Sequence, residues 1–314
     1  MNIGLINDFR LKLQQNIGRV ILGKKDVIDL VIMAVICDGH ILIEDVPGTG
    51  KTILAKCVAR SLDADFSRIQ FTPDMLPSDV TGVSIYNQAT KDFEFRAGPI
   101  LANIVLADEI NRATPKTQSA LLEAMEERQI TVDGKTHTLP YFFLVMATQN
   151  PIEYEGTFPL PEAQLDRFLI RLKVGYPQLD IERSILKSQQ YQHPLNELRT
   201  VAQVDELKRV REEVKSVHVS EKIERFIVNI VSKTRHYDEI YLGASPRGSL
   251  ALYRLGQCQA AFEERDFVIP DDIKKVAPNA LAHRIIPAPT TRLSDFNPEE
   301  MIMDLVDQIP VPVG

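Results

Sequence analysis

Residues 40–52 read HILIEDVPGTGKT, and this stretch decides the fold that we expect. The apolar run 40–44 predicts a short buried strand, and the helical periodicity of 53–62 predicts a helix. Between them lies a loop that contains two glycines. A strand, such a loop and a helix N-terminus in this order place backbone N–H groups around an anion, and the helix dipole favours negative charge there. The stretch therefore predicts a phosphate-binding loop.

The chemistry of this loop suits a nucleoside triphosphate with its metal ion. Gly48 and Gly50 let the backbone approach the phosphates, and Lys51 can reach the β- and γ-phosphates. The hydroxyl of Thr52 can bind Mg²⁺. The residues predicted to bind ATP here are Pro47, Gly48, Thr49, Gly50, Lys51 and Thr52.

The loop departs from the usual pattern at its first position, where Asp45 replaces a glycine. Aspartate tolerates the left-handed backbone region better than most residues, so this departure is compatible with a phosphate-binding loop. The alternative, an accidental Gly-Lys-Thr turn, is disfavoured by the strand before the loop and the helix after it.

A second apolar strand is predicted at 103–107, and it ends in Asp108-Glu109. In P-loop ATPases an acid at this strand end belongs to the Mg²⁺ shell, and an adjacent acid positions the attacking water. Asp108 is the predicted metal-shell residue and Glu109 the predicted catalytic residue. An Asp-Glu pair taken alone is more often a solvated strand end, but the phosphate loop upstream favours the catalytic interpretation.

A polar residue at a neighbouring strand end is needed to sense the γ-phosphate, and Asn150 fits. It follows the apolar stretch 145–147 and precedes Pro151. Asn-Pro is equally a good plain turn, so on spacing alone both interpretations of Asn150 stay open.

The order of the predicted elements indicates an α/β fold with a parallel sheet. Further buried strands are predicted at 67–71, 141–147 and 168–174, alternating with helices, and this alternation is typical of a parallel sheet flanked by helices on both faces. Two helices are expected within 5–37, separated near Gly18 and Gly23. After Pro177 the strand signals end. We predict an α/β core over 1–190, a small all-helical domain over 200–285, and a proline-rich tail over 286–314 that lies on the surface.

Composition excludes several classes of protein. The 314 residues are 44% apolar and 25% charged, with a net charge of −7, as in an ordinary globular protein without a basic field for nucleic acid or anionic lipid. The three cysteines, Cys37, Cys57 and Cys258, are predicted to be buried thiols. No His/Cys spacing suggests zinc. The longest apolar run, 30–37, is too short to cross a bilayer, and no signal peptide is visible at the N-terminus, so the cytoplasm is the expected location.

Five motifs in order resemble the MoxR family of AAA+ ATPases. They are the segments 45–52 (DVPGTGKT), 71–79 (FTPDMLPSD), 107–113 (ADEINRA), 147–151 (ATQNP) and 160–168 (LPEAQLDRF). The similarity runs from about Val20 to the tail and covers most of the chain. It implies an AAA+ core followed by a helical lid, with hairpin inserts near 80–96 and 127–141. Asp133-Gly134 is a hairpin signal in its own right, because Ile130, Val132 and Thr136 stand at alternate positions around it.

The resemblance also implies roles for single residues. Leu22 and Gly23 match the adenine-side segment, although Lys24 stands where the family commonly has glutamine. It makes Asn150 the first sensor of the γ-phosphate.

Two arginines receive roles from the resemblance as well. Arg167 matches the arginine finger supplied to a neighbouring subunit, and Arg247 matches the second sensor in the lid. Without the resemblance, Arg167 would be read as a surface residue paired with Glu162 or Asp166, and Arg247 as an ordinary first-turn arginine.

The function that the resemblance implies is ATP hydrolysis with Mg²⁺ in a homo-oligomeric ring, expected to be a hexamer, that remodels or assembles a protein client. A von Willebrand factor A-domain protein and metal or cofactor insertion are the family's usual context. Three other functions compete with this one. A nucleic-acid motor is disfavoured because the hairpin at 127–141 offers only Lys135 near its tip. A chelatase-type motor subunit and a non-hydrolysing nucleotide switch stay open.

Overall fold

The computed structural model describes residues 2–150, 156–289 and 297–312. The described N-terminal part contains six α-helices and nine strands. In chain order they are α1 Ile3–Gly18, α2 Lys25–Ile36, β1 His40–Glu44, α3 Lys51–Ser61, β2 Phe66–Gln70, α4 Pro77–Thr81, β3 Gly82–Asn87, β4 Asp92–Ala97, β5 Ile104–Asp108, α5 Pro115–Glu127, β6 Gln129–Val132, β7 Lys135–Thr138, β8 Leu144–Gln149, α6 Glu162–Leu165 and β9 Phe168–Leu172.

The C-terminal part is mainly helical, and one short antiparallel strand pair is added to it. The elements are α7 Leu179–Ser188, α8 Val204–Lys215, α9 Glu221–Thr234, β10 Ile240–Leu242, α10 Pro246–Phe262, α11 Pro270–Leu281, β11 Ile286–Pro287 and α12 Pro298–Asp307. The predicted fold class, an α/β core with a small helical domain, is confirmed. None of the helices in the described residues is long and apolar enough to cross a membrane.

The central sheet has five strands in the order β2-β5-β8-β1-β9, and every pairing is parallel. The predicted parallel sheet is thus confirmed. The strand expected at 141–147 begins three residues later, at Leu144, because Tyr141 is exposed and the sheet pairing starts where Leu144 N–H donates to the Asn103 carbonyl at 2.8 Å.

Apolar side chains cover the sheet on both faces. One buried cluster joins α1, α2 and α3 to one face of the sheet and continues into helices α8–α12. The other packs α5 against the opposite face. A strand buried on both sides reads as a continuous apolar run, as in β1 and β5. All three cysteines are free and buried, as predicted.

Two antiparallel hairpins project from the core. One is β3 with β4, and the other is β6 with β7; they lie in the stretches for which inserts were expected. Asp133 and Gly134 link β6 to β7 with φ of 49° and 75°, the pair of positive values that a two-residue hairpin turn requires. The rings of Phe95 and His137 stack at 3.9 Å between centroids, so the hairpins contact each other.

The C-terminal segment does not follow the expectation of a surface tail. Pro298 opens helix α12, and the Asn297 side chain caps it by accepting from Glu299 N–H at 3.1 Å. Ile302 and Leu305 are fully buried within the apolar cluster that fills the helical domain. Pro298 marks a helix start, and the described helix packs into the core instead of lying on the surface.

Candidate active site

The glycines of the phosphate loop have the backbone conformation that the sequence pattern requires. Gly48 has φ of 84° and Gly50 has φ of 90°, a region that side chains other than hydrogen disfavour. Helix α3 begins directly after Gly50. A Cβ added at either glycine would meet nothing within 4 Å, so the space in front of the loop is open. The N-terminus of α3 therefore faces an accessible concavity, as an anion site requires.

The ammonium group of Lys51 lies over the start of the loop. Its Nζ donates to the carbonyl oxygens of Asp45 at 2.9 Å and Val46 at 3.1 Å. These two carbonyls hold the lysine at the loop, from which it can reach the phosphate chain.

Asp45 has a different role from the one that the sequence suggested. It is absent from the described residues with positive φ, so its tolerance of the left-handed region does not account for the aspartate at this position. The carboxylate is buried and accepts from Val46 N–H at 2.8 Å and from Gly175 N–H at 2.6 Å. Asp45 thus ties the loop to the chain that follows β9, a contact that glycine could not make.

The two acids at the end of β5 are fixed by one hydroxyl. Thr148 Oγ1 donates to Asp108 Oδ1 at 2.6 Å and accepts from Glu109 N–H at 2.8 Å. Glu109 has φ of 56°, a strained value for a residue with a side chain. Thr148 therefore stabilises the turn that directs the Asp108 and Glu109 carboxylates into the site.

Two side chains of β2 complete this cluster, and sequence reasoning missed them together with Thr148. Arg68 Nη2 lies 2.6 Å from Asp108 Oδ2, and Gln70 Nε2 donates to Glu109 Oε2 at 2.8 Å. The same oxygen of Glu109 accepts from Arg112 Nη1 at 2.9 Å. Polar residues at alternate positions near the end of the strand, Arg68 and Gln70, were the available signal for β2. Its use required knowing that β2 pairs with β5.

Two adjoining cavities form at the loop. A cavity of about 380 Å³ gathers most of the predicted phosphate, metal and catalytic residues, namely Pro47, Gly48, Gly50, Lys51, Thr52, Asp108, Glu109 and Asn150. A second cavity of about 190 Å³ shares Gly48 and Gly50 with it and is lined by Leu22 and Thr49. Gly23 is next to this second cavity and packs against Ile181. Together the cavities form a groove suited to a phosphate chain at one end and a base at the other.

Arg167 lies at the amino-terminal ends of the strands, whereas the loop lies at their carboxyl-terminal ends. It directly precedes β9, and β9 pairs in parallel with β1 so that Phe168 is beside His40. The phosphate loop follows the other end of β1. A five-residue strand rises roughly 16 Å, more than an arginine side chain can span. Arg167 therefore cannot reach the phosphate loop of its own chain.

Arg247 accompanies Arg167 rather than the loop. Both line a third cavity of about 410 Å³ that shares no residue with the two at the loop. Arg167 Nη2 lies 2.9 Å from Glu126 Oε2, and Arg247 Nη2 contacts Glu126 Oε1. The pairing of Arg167 with Glu162 or Asp166, considered from sequence, is replaced by Glu126.

The carboxylate of Asp166 is bound by two side chains of the helical domain. It accepts from Arg284 Nε at 2.9 Å and from Ser245 Oγ at 2.7 Å. Burial lowers the pKa of Arg284 to about 10, against the stabilising charge of Asp166, so Arg284 stays cationic at neutral pH. Ser245 is also the N-cap of α10, the helix that carries Arg247. Asp166, which directly precedes Arg167, is therefore hydrogen-bonded to the residue that caps the helix carrying Arg247.

Replacing Thr148 by valine is expected to impair the acid cluster. The substitution keeps the shape but removes both hydrogen bonds of a hydroxyl that is almost fully buried. We expect a stability loss of about 1–3 kcal/mol and a slower ATP turnover, because Asp108 and Glu109 lose their common support. Urea unfolding and an ATPase assay of Thr148→Val, with the exposed Thr131→Val as control, check this. Unchanged turnover in a variant with the expected stability loss would contradict the positioning role.

Comparisons with known proteins agree with this architecture. Residues 40–170 match the family model described as ATPase family associated with various cellular activities (AAA), and residues 232–304 match the AAA lid domain. The uncharacterized protein YeaC of Bacillus subtilis is 51% identical, covering 96% of this chain and 94% of YeaC. Chaperone MoxR1 of Mycobacterium tuberculosis is 38% identical, covering 94% and 80%. The crystal structure of a Cytophaga hutchinsonii protein assigned as an ATPase superposes with a TM-score of 0.90 at 37% identity, covering 99% and 98%.

Proposed function

Since this chain belongs to the MoxR family of AAA+ ATPases, we propose that it hydrolyses ATP between subunits of a ring and uses the cycle to remodel a protein client. The observation that carries this proposal is the separation of the site into two halves. The phosphate loop and its acids lie at the carboxyl-terminal ends of the strands, whereas Arg167 and Arg247 lie at the amino-terminal ends. A second copy of the chain can supply the missing half.

The first half would bind the nucleotide and activate water. The N–H groups of the loop and Lys51 suit the phosphates, and Leu22 and Gly23 adjoin the space for the base. Thr52 and Asp108 offer the oxygen ligands that Mg²⁺ prefers. Bound there, Mg²⁺ would neutralise charge on the phosphate oxygens. Glu109, held by its neighbours Gln70 and Arg112, would orient the attacking water and accept its proton, with Asn150 placed near the γ-phosphate.

The second half would serve the neighbouring subunit. Phosphoryl transfer spreads negative charge over the γ-phosphate oxygens, and a guanidinium delivered by another chain stabilises that charge. Arg167 and Arg247 share one carboxylate, so we propose that both approach the neighbour's phosphates from the same side. This arrangement makes hydrolysis depend on assembly.

The remaining features of the proposal rest on the relatives and the sequence. One relative is named a chaperone, which supports a protein client for this chain. A hexameric ring and a von Willebrand factor A-domain partner, with metal or cofactor insertion as the outcome, are proposed from the family resemblance, as is a cytoplasmic location. Exposed Val83, Ile85 and Phe93 on the β3–β4 hairpin are suited to contact a protein rather than nucleic acid.

A dilution series tests the intersubunit site. We expect the Mg²⁺-dependent ATPase rate per chain to rise steeply with protein concentration and to reach a plateau where sedimentation shows the ring. The dependence follows because a lone chain holds only one half of the site. A rate per chain that stays constant into the range where only monomer sediments would refute the proposal. Stimulation by DNA that is lost with salt would instead indicate a nucleic-acid motor.

A further inference from the structure

Glu126 binds both arginines with a single carboxylate. Each of its oxygens contacts one guanidinium, Oε2 that of Arg167 at 2.9 Å and Oε1 that of Arg247. The Glu126 side chain is 35% exposed, and those of Arg167 and Arg247 are 28% and 42% exposed. The ion triplet therefore lies at the surface of the third cavity, where another chain can reach it.

The position of Glu126 is fixed by the core. It lies in the last turn of α5, directly after Met125, whose carbonyl faces His40 Nε2 at 3.3 Å. Burial lowers the pKa of His40 to about 3, so this histidine is neutral. Its Nδ1 accepts from Val145 N–H, which leaves the proton on Nε2 for Met125. The end of α5 is thereby attached to the sheet.

The surroundings of both arginines are unfavourable for a charged guanidinium. Arg247 lies in the first turn of α10, where the positive end of the helix dipole disfavours a cation. Arg167 donates from Nη1 to the Leu122 carbonyl at 2.6 Å, and its buried Nε has no hydrogen-bond partner among the described residues. One carboxylate is the anion that both guanidiniums share.

We propose that Glu126 is a counter-ion that occupies the place of the neighbour's terminal phosphate. Carboxylate and phosphate oxygens bind guanidinium in the same way, so the two arginines must release Glu126, at least in part, before they bind the phosphates of the adjoining subunit. Glu126 thereby keeps the arginines together in the free protomer and weakens ATP binding at the interface. The proposal rests on the proposed intersubunit site.

The test measures ATP affinity rather than turnover. Glu126→Gln removes the competing charge and a negative group near the incoming phosphates, while the side chain keeps its length. In a Glu109→Gln background and at ring-forming concentration, we expect the apparent Kd of a fluorescent ATP analogue to fall on the order of tenfold. Glu123→Gln and Glu127→Gln, on the same helix and exposed, serve as controls and should leave the Kd unchanged.

A structural role alone would not tighten nucleotide binding. An equal or higher Kd for a folded Glu126→Gln ring would overturn the proposal. Should that variant fail to fold, Glu126→Asp repeats the test, because its carboxylate is one methylene too short to contact both guanidiniums. It is also expected to lower the Kd, and a wild-type value would count against the counter-ion role.

Failure of this proposal can be separated from failure of the intersubunit site. Adding Arg167→Ala to Glu126→Gln should abolish the gain in affinity if the released arginine causes it. If Arg167→Ala alone leaves turnover unchanged, the intersubunit site itself is wrong. If it abolishes turnover while Glu126→Gln retains the wild-type Kd, only the role of Glu126 is refuted.

Discussion

Arg167→Ala is expected to lower the ATPase rate of the assembled protein by roughly 10³- to 10⁵-fold, the range known for arginines supplied in trans, while each chain still binds ATP. The reason is geometric. Arg167 precedes β9, whereas the phosphate loop follows the opposite end of the paired strand β1. In the proposed intersubunit site the arginine acts on another subunit's nucleotide, and its loss would remove charge stabilisation from the transition state without changing the loop.

Mixing two inactive variants gives the sharper measurement. Lys51→Ala chains lack a working loop but keep Arg167, and Arg167→Ala chains have the reverse defect. In mixed rings, an intact loop meets an intact arginine at some interfaces, so activity should return on mixing. Arg209→Ala, an exposed arginine of α8, is the control and should behave as wild type.

Two outcomes would contradict this prediction. One is a mixture that co-assembles but stays as inactive as its components. The other is a monomer that hydrolyses ATP at the full rate with Arg167 removed. Either would mean that the site is complete within one chain, and the role of the neighbour would have to be abandoned.

The sequence predicted the parts of the site that are local in the chain. The phosphate loop between β1 and α3 follows from backbone rules, since positive φ at Gly48 and Gly50 needs glycine. Buried strands of a parallel sheet are continuous apolar runs, which is why β1, β5 and β9 were found within one or two residues. Asp108-Glu109 was found because it ends such a run.

Contacts between side chains that the strand order brings together could not be predicted from the sequence. Arg68, Gln70 and Thr148 meet the two acids only because β2 and β8 flank β5, and no local pattern states which strands are neighbours. Glu126 is 121 residues from Arg247 in the chain. Their contact depends on how the helical domain packs on α5.

Asp45 shows how a single departure from a motif can mislead. The tolerance of aspartate for the left-handed backbone region explained its presence at that position from sequence. In the structure, a long-range contact explains it. Its carboxylate accepts from Gly175 N–H, 130 residues away. Similarly, the prolines of the C-terminal segment suggested a tail that lies on the surface, whereas Pro298 begins a helix whose buried face packs into the core.

Glu109→Gln is the second variant with a large expected effect. The glutamine keeps the size of the side chain and can still hydrogen-bond Gln70 and Arg112, but it cannot accept a proton from water. General-base catalysis contributes roughly 10²–10⁴-fold to a rate, so we expect turnover to fall by that factor. ATP affinity should be retained, because the loop, Lys51 and Thr52 are unchanged. Glu123→Gln, on the exposed face of α5, is the matched control.

The same variant should hold the client. A ring that binds ATP and cannot hydrolyse it remains in the nucleotide-bound state, so a protein that dissociates on hydrolysis stays attached. Affinity purification of Glu109→Gln with ATP, compared with Lys51→Ala under the same conditions, should enrich the client only in the first sample. Turnover of Glu109→Gln at the wild-type rate would show that another group activates the water. Because Glu109 is the acid that Gln70, Arg112 and the Thr148 hydroxyl all position, that result would leave this network of contacts without a chemical purpose.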